Sequence, residues 1–184
     1  MSLPSRAVTM TKQMIQIEST DPGTYENTMA DWITSQLASY PNVQLTRQEV
    51  LPGRPNLMAE LTGDPSLPAL VMICHMDTVV VGDGWTLPPF AAIEKNGKIY
   101  GRGACDMKSG LACCLSAFQY AAEMLKASGK TPKQTLKLIC SMDEEDFMRG
   151  SEACIQSGWI TDHDWVIDAE PTNGQIQMAH KGRT

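Results

Sequence analysis

Residues 99–110 read IYGRGACDMKSG and place one aspartate, Asp106, in a glycine-rich turn just ahead of a long apolar stretch. Gly101, Gly103 and Ala104 leave little side-chain bulk around this carboxylate, and glycine adopts backbone dihedrals that other residues rarely adopt. Such a turn lets a carboxylate approach a cation closely. The same position also suits a helix N-cap, because aspartate often precedes a helix for capping reasons alone. Taken by itself, Asp106 leaves capping and metal binding open.

Three further clusters surround this turn in the sequence, and each follows a short apolar run typical of a strand. They are His75-Met76-Asp77, Asp143-Glu144-Glu145 and Asp168-Ala169-Glu170. Each alone has an ordinary structural interpretation, as a hydrogen-bonded pair or a solvated loop. Histidine and carboxylates at the ends of successive strands, however, are the residue types that a metal-dependent hydrolase needs. The four clusters together therefore predict a metal site.

The residue types within the clusters indicate different tasks. A neutral imidazole of His75 can bind a metal with one nitrogen while Asp77 accepts a hydrogen bond from the other. The adjacent Glu144 and Glu145 point in different directions, so one can hold a metal while its neighbour faces a water whose pKa the metal lowers. Lys108 is interpreted as a solvated or charge-balancing residue.

Composition sets wider bounds. The chain has 184 residues, 42% hydrophobic and 20% charged, which is ordinary for one globular domain with a sizeable core. A net charge of −6 without a basic stripe argues against nucleic acid as a partner. The absence of a long apolar run at the N-terminus argues against a signal peptide and a membrane anchor, so we expect a cytoplasmic protein. The six cysteines form no CxxC pair and are expected to be reduced, buried thiols.

Hydrophobic periodicity predicts alternating helices and strands. Helices are expected at 6–17, 25–40, 110–127 and 151–158, and strands at 43–51, 56–61, 69–74, 134–140 and 165–167. Asn96-Gly97 predicts a hairpin over 93–100, because this dipeptide suits a tight turn. The alternation favours an α/β sandwich around a mixed, mostly parallel sheet.

The clusters resemble a known family. HMD at 75–77, GRGACDMKSG at 101–110, DEE at 143–145 and EPT at 170–172 are similar to the M20 metallopeptidases, which include acetylornithine deacetylase, succinyl-diaminopimelate desuccinylase, aminoacylase and glutamate carboxypeptidase. The similarity runs from the first helix to the last residue. It implies the three-layer α/β/α sandwich of a zinc aminopeptidase-like catalytic domain.

The resemblance also implies a ligand set. Two Zn²⁺ ions, for which Co²⁺ or Mn²⁺ can substitute, would be bridged by Asp106. His75 and Glu170 would complete one site, and Glu145 would bind the other ion. The peptide bond between Asp106 and Met107 is expected to be cis, as is frequent in the family.

The implied reaction is hydrolysis of an amide, which removes the acyl group of an N-acyl amino acid or cleaves a small peptide. Glu144 would be the general base that acts on the bridging water, and Asp77 would orient His75. Small-molecule or peptide substrates are therefore expected, without nucleic acid or membrane. The full-length parent is expected to be a homodimer.

One departure from the family pattern concerns the second metal site, which takes a histidine from near the end of a longer chain. The present sequence ends at Thr184, and neither His163 nor His180 replaces that ligand by position. His180-Lys181-Gly182 instead resembles the strand before a lid domain. Residues 1–184 are therefore expected to form the N-terminal part of the catalytic domain, with the lid and dimerisation domain and the C-terminal part absent.

This departure leaves alternatives open for the 184-residue chain. It is expected to bind at most one Zn²⁺ well, through His75, Asp106 and Glu170, and to show little turnover. A degenerate, non-catalytic fragment that binds a metal or ligand is the alternative function. A third interpretation takes all the acidic turns as structural and predicts no stoichiometric zinc.

Overall fold

The computed structural model describes residues 2–178, which form four α-helices, one π-helical turn (Ala104–Lys108) and nine strands. The helices are α1 (Leu3–Ile15), α2 (Asn27–Leu37), α3 (Ser109–Ser128) and α4 (Arg149–Gln156). The strands are β1 (Thr20–Asp21), β2 (Gln44–Leu51), β3 (Arg54–Leu61), β4 (Leu70–His75), β5 (Thr78–Val79), β6 (Ile93–Lys95), β7 (Lys98–Tyr100), β8 (Leu136–Ser141) and β9 (Trp165–Asp168). No helix in this part of the chain has the length and apolar character needed to cross a membrane.

A five-stranded sheet in the order β2-β3-β8-β4-β9 is the centre of the fold. β4 runs parallel to both β8 and β9, whereas β3 is antiparallel to β2 and β8. His75 lies opposite Ser141, and Ile73 lies opposite Asp168. Because parallel strands end at the same edge of a sheet, the segments that follow β4, β8 and β9 emerge side by side.

Alternate residues of the central strands face two separate cores. On β3, Leu57 and Ala59 contribute to the larger core, in which residues of α1, α2 and α3 also lie. Met58, between them, belongs to a smaller core on the other face, together with Cys154 of α4. Helices thus cover both faces, and the expected three-layer α/β/α sandwich with a mixed sheet is confirmed.

Local sequence explains where the elements begin and end. α1 begins earlier than expected, because the Ser2 side chain accepts a hydrogen bond from the Ser5 amide and Pro4 lies in the first turn. α3 ends at Gly129, which has a φ of 65° and whose amide bonds back to Leu125 and Lys126 carbonyls. The expected hairpin is confirmed as β6 paired with β7.

All six cysteines lie in the described part of the chain, and all are free thiols. Cys74, Cys114, Cys140 and Cys154 are buried, as expected for small apolar residues. Cys105 and Cys113 are exposed, so the expectation of burial is wrong for these two.

Phe118 on α3 provides a test of the larger core. Its side chain is fully buried, so Phe118→Ala should lower the free energy of unfolding by about 3–5 kcal/mol through lost burial and a residual cavity. Met124 on the same helix is 53% exposed, and Met124→Ala should change it by no more than about 0.5 kcal/mol. Urea unfolding followed by circular dichroism measures both. Equal losses in the two variants would contradict this packing.

Candidate metal centre

The sheet edge at the ends of β4, β8 and β9 gathers a histidine and several carboxylates. The side chain of His75 is fully buried. Its Nε2 atom lies 3.1 Å from Asp106 Oδ1, 3.6 Å from Glu170 Oε1 and 3.9 Å from Glu144 Oε2. Three segments that are far apart in the chain therefore present oxygen atoms to one imidazole nitrogen.

The ligand candidates form two overlapping groups. One joins His75, Asp106 and Glu145, and the other joins His75, Glu144 and Glu170. Within each group one ligand atom per residue lies within 4.8 Å of the others. The structure thus brings all four predicted ligands and the predicted base to one place. Glu145 lies with His75 and with Asp106, the residue that the resemblance places between two ions.

The turn that carries Asp106 depends on glycine. Gly103 has a φ of 76°, and a Cβ atom there would lie 2.6 Å from Thr78 Cγ2. Asp106 follows three residues later, and the peptide bond between Asp106 and Met107 is cis, as expected. The capping interpretation of Asp106 is wrong, because α3 follows an N-cap at Lys108 and no side chain caps it. The Asp106 side chain is instead 52% exposed and bonded to His75.

Asp77 contacts both the histidine and the acidic loop. The Nδ1 atom of His75 lies 2.9 Å from the main-chain oxygen of Asp77, whereas the nearer carboxylate oxygen is 3.7 Å away. The expected hydrogen bond is therefore made by the backbone. The Asp77 carboxylate instead accepts the amide hydrogens of Glu144 and Glu145, at 3.1 Å and 2.9 Å. One buried residue thus holds the histidine ring and the backbone that carries two ligand candidates.

The clustered charges alter the acidity of their members. Burial by itself lowers the pKa of His75, but the hydrogen bond to Asp106 and the nearby charges of Asp77, Glu170 and Glu144 raise it to about 9. Burial raises the pKa of Glu170 to about 8, against the opposing charge of His75. Burial also raises the pKa values of Glu144 and Glu145. Without a metal, protons must therefore partly neutralise this group of carboxylates.

This donor set fits a divalent cation. One imidazole nitrogen and several carboxylate oxygens are ligand types that Zn²⁺ accepts, and an ion would replace the protons that the crowded carboxylates otherwise need. Magnesium and calcium prefer oxygen ligands alone, so the buried His75 favours a transition metal or zinc.

Lys108 is not solvated, contrary to the sequence interpretation. Its side chain is buried, and Nζ donates a hydrogen bond to the main-chain oxygen of Ile17 at 2.8 Å. Burial lowers the pKa of Lys108 to about 7, although the charge of Glu18 opposes this. The residue therefore joins the turn that carries Asp106 to the segment after α1. Helical periodicity carries no signal for such a contact.

Sequence reasoning also missed two groups of residues that support the site. Asn56 on β3 accepts the Met142 amide hydrogen at 3.0 Å and donates to the Gly150 carbonyl at 2.8 Å. Asp143, the first residue of the acidic triplet, pairs through its carboxylate with Arg149 at 2.6 Å. Buried polar residues of this kind are identified by their partners, which the sequence pattern does not contain. His163 is exposed, and residues 180–182 lie outside the described part of the chain.

The acidity of His75 in the metal-free protein gives a direct test of this geometry. Because its pKa of about 9 exceeds the usual 6.5, protonated His75 stabilises the metal-free fold below pH 6.5, and this stabilisation is lost as the pH rises through about 9. Asp106→Asn removes a charged acceptor and should lower the His75 pKa. NMR titration of the imidazole nitrogens measures both values. An unchanged midpoint in Asp106→Asn would exclude the hydrogen bond to Nε2.

The sequence of this chain is similar to those of known proteins. A protein described as a probable succinyl-diaminopimelate desuccinylase from Staphylococcus aureus is 41% identical over 131 residues, which are 70% of this chain and 31% of that relative. Another, from Staphylococcus epidermidis and described in the same words, is 33% identical over 160 residues, 86% of this chain and 38% of the relative. The chain therefore spans about a third of the length of the curated relatives it matches.

Solved structures show the same fold. An M20 family metallo-carboxypeptidase from Sulfolobus solfataricus superposes with a TM-score of 0.68 at 22% identity, covering 89% of this chain and 37% of that one. Residues 71–181, more than half of the chain and all four clusters, match the sequence model of peptidase family M20/M25/M40. The chain belongs to this family.

Proposed function

We propose that this chain forms the metal-binding part of the active site of a hydrolase that acts on amide bonds. The observation that carries the proposal is the fully buried His75, whose Nε2 atom has three carboxylates within 3.9 Å at one edge of the sheet. Burial and the neighbouring carboxylates raise the pKa values of Glu144, Glu145 and Glu170, and a divalent cation would relieve the cost of their charged forms. Membership in a peptidase family supports the same conclusion.

We assign the ligands by combining distance with family membership. Asp106, whose carboxylate is the most exposed and belongs to a group with both His75 and Glu145, would bridge two ions. His75 and Glu170 would complete one site, and Glu145 would bind the second ion. Zn²⁺ is the proposed metal, with Co²⁺ or Mn²⁺ as substitutes. A bound ion would supply Lewis acidity, which polarises a carbonyl and lowers the pKa of a water.

Glu144 is the proposed general base. Its carboxylate lies in the group with His75 and Glu170, beside the proposed ligands, and family membership rather than distance assigns it the task of receiving the proton. Burial raises its pKa, which brings its basicity closer to that needed near neutral pH. The backbone at Glu144 is held by the Asp77 carboxylate, so its side chain starts from a defined position. In the reaction it would take a proton from water and pass it to the leaving amine.

The substrate would reach the metal through a cavity of about 270 Å³. Asp106 and Glu145 line it, and so do Val79 and Arg102. Two relatives are described as desuccinylases and a third as a metallo-carboxypeptidase, names that denote removal of a succinyl group and cleavage of a peptide. Both reactions hydrolyse an amide bond, so we propose N-acyl amino acids or small peptides as substrates.

Glu144→Gln separates metal binding from chemistry. Glutamine keeps the size of the side chain but cannot accept the proton, so hydrolysis of an N-succinyl or N-acetyl amino acid should fall about 10²–10⁴-fold. Zinc content should be unchanged, since Glu144 is not a proposed ligand. Elemental analysis and an amine-release assay are to be done on the 184-residue chain and on any longer protein that contains it.

Asp106→Ala is the matched control, because it should lose both metal and hydrolysis. Absence of stoichiometric metal from the unaltered chain, under conditions where it is folded, would refute the proposal. Metal binding without hydrolysis in every protein that contains the chain would instead favour a binding module.

Asp77→Asn tests how the centre is supported. Asparagine retains one acceptor oxygen but replaces the other with a donor, which would face an amide hydrogen of Glu144 or Glu145. Residues that orient metal ligands typically contribute about 10–100-fold to affinity, and we expect a loss of Zn²⁺ affinity in this range. Competition with a zinc chelator measures it. Asp83→Asn, at an exposed position, is the control and should bind zinc normally.

A further inference from the structure

We propose that Glu26 and Arg54 are positioning residues that hold the loop at residues 143–145 in the conformation that directs Glu144 and Glu145 to the metal centre. This inference rests on the proposed function, because it assigns a task within the same site. Neither residue belongs to a group with His75, Asp106 or Glu170. Their action would therefore pass through the backbone of the loop.

The loop is held through its main-chain amides. The amide of Asp143 donates to Glu26 Oε1 at 3.1 Å. The next two amides, of Glu144 and Glu145, donate to the two oxygens of the Asp77 carboxylate. Three consecutive N–H groups thus donate hydrogen bonds to two buried carboxylates. Because these are charge-assisted hydrogen bonds in a buried site, they define the loop backbone strongly.

Arg54 holds Glu26 in place. Its Nε atom donates to Glu26 Oε2 at 2.9 Å, and Nη2 donates to the other oxygen of the same carboxylate. The Glu26 side chain is fully buried, and that of Arg54 is only 8% exposed. The Tyr25 ring covers the guanidinium, with 4.2 Å between Cζ and the ring centroid. This two-point contact fixes the direction of the carboxylate as well as its charge.

The same arginine reaches the loop directly. Arg54 Nη1 lies 3.4 Å from Asp143 Oδ1. Arg149 also binds this carboxylate, with Nε donating to Oδ2 at 2.6 Å and Nη2 donating to Oδ1 at 2.7 Å. Asp143 has a φ of 62°, a backbone conformation that side-chain-bearing residues rarely adopt. Contacts to its amide and its carboxylate thus maintain the unusual conformation that starts the loop.

Glu26→Met tests the inference, because methionine keeps the length of the side chain but accepts no hydrogen bond from Asp143. We expect affinity for the second Co²⁺ ion, whose proposed ligand Glu145 lies on this loop, to fall about tenfold or more, with an altered visible absorption spectrum of the bound Co²⁺. Glu26→Gln retains an amide oxygen for the Asp143 hydrogen and should largely restore affinity and spectrum. Circular dichroism establishes that each variant is folded at the temperature of measurement.

Glu123→Met is the matched control. Glu123 pairs with Arg6 through two hydrogen bonds that join α1 to α3, and this pair is away from the loop. The control should lose stability without a change in Co²⁺ affinity or spectrum. A purely structural role of Glu26 predicts the same pattern for Glu26→Met, and that outcome would overturn the inference.

Arg54→Lys decides the question if Glu26→Met does not fold. Lysine keeps the charge but cannot make the two-point contact with Glu26, so Co²⁺ affinity should fall, and unchanged affinity and spectrum would overturn the inference. The unaltered chain distinguishes this inference from the proposed function. If it binds no Co²⁺, the proposed function fails. If it binds Co²⁺ and the folded variants bind it equally, only the positioning role fails.

Discussion

The parallel pairing of β4 with β8 on one side and β9 on the other is the constraint on which the site depends. It aligns His75 with Ser141 and Ile73 with Asp168, so three chain segments leave the sheet at the same edge. A fourth segment, the turn before α3, supplies Asp106 to the same place. The resulting site owes its geometry to hydrogen-bonded strand registers rather than to any single loop, since a register shift would move a ligand by a whole residue.

Placing several carboxylates at one edge creates a conflict that the fold resolves in two ways. Where the carboxylates face His75, burial and mutual repulsion favour protons or a divalent cation. Where they face inwards, they accept hydrogen bonds from main-chain amides, as Asp77 does, or pair with arginine, as Glu26 does. Acidic residues thus serve both as ligand candidates and as the support beneath them. The two uses differ in partner, not in residue type.

Much of this arrangement was predictable from local pattern. The spacing of apolar residues predicted the layers, because helices and strands each bury residues at their own regular interval. The Asn96-Gly97 turn predicted the hairpin. The same reasoning failed at Lys108, which is buried against the Ile17 carbonyl, and at Asp106, which does not cap α3. In both cases the residue's partner is distant in the chain. A charged or capping residue type alone therefore gave the wrong interpretation.

The sequence by itself determined the α/β class, the family and the set of candidate metal ligands, because these depend on composition and short motifs. Only the tertiary structure decided how those residues are held. The amide of Asp143 meets a carboxylate of Glu26, 117 positions earlier in the chain, and Arg54 of β3 lies between the two. Such contacts arise when packed layers close on one another. No local periodicity records them, since the hydrogen bonds of a buried polar group depend on which distant groups the fold brings within reach.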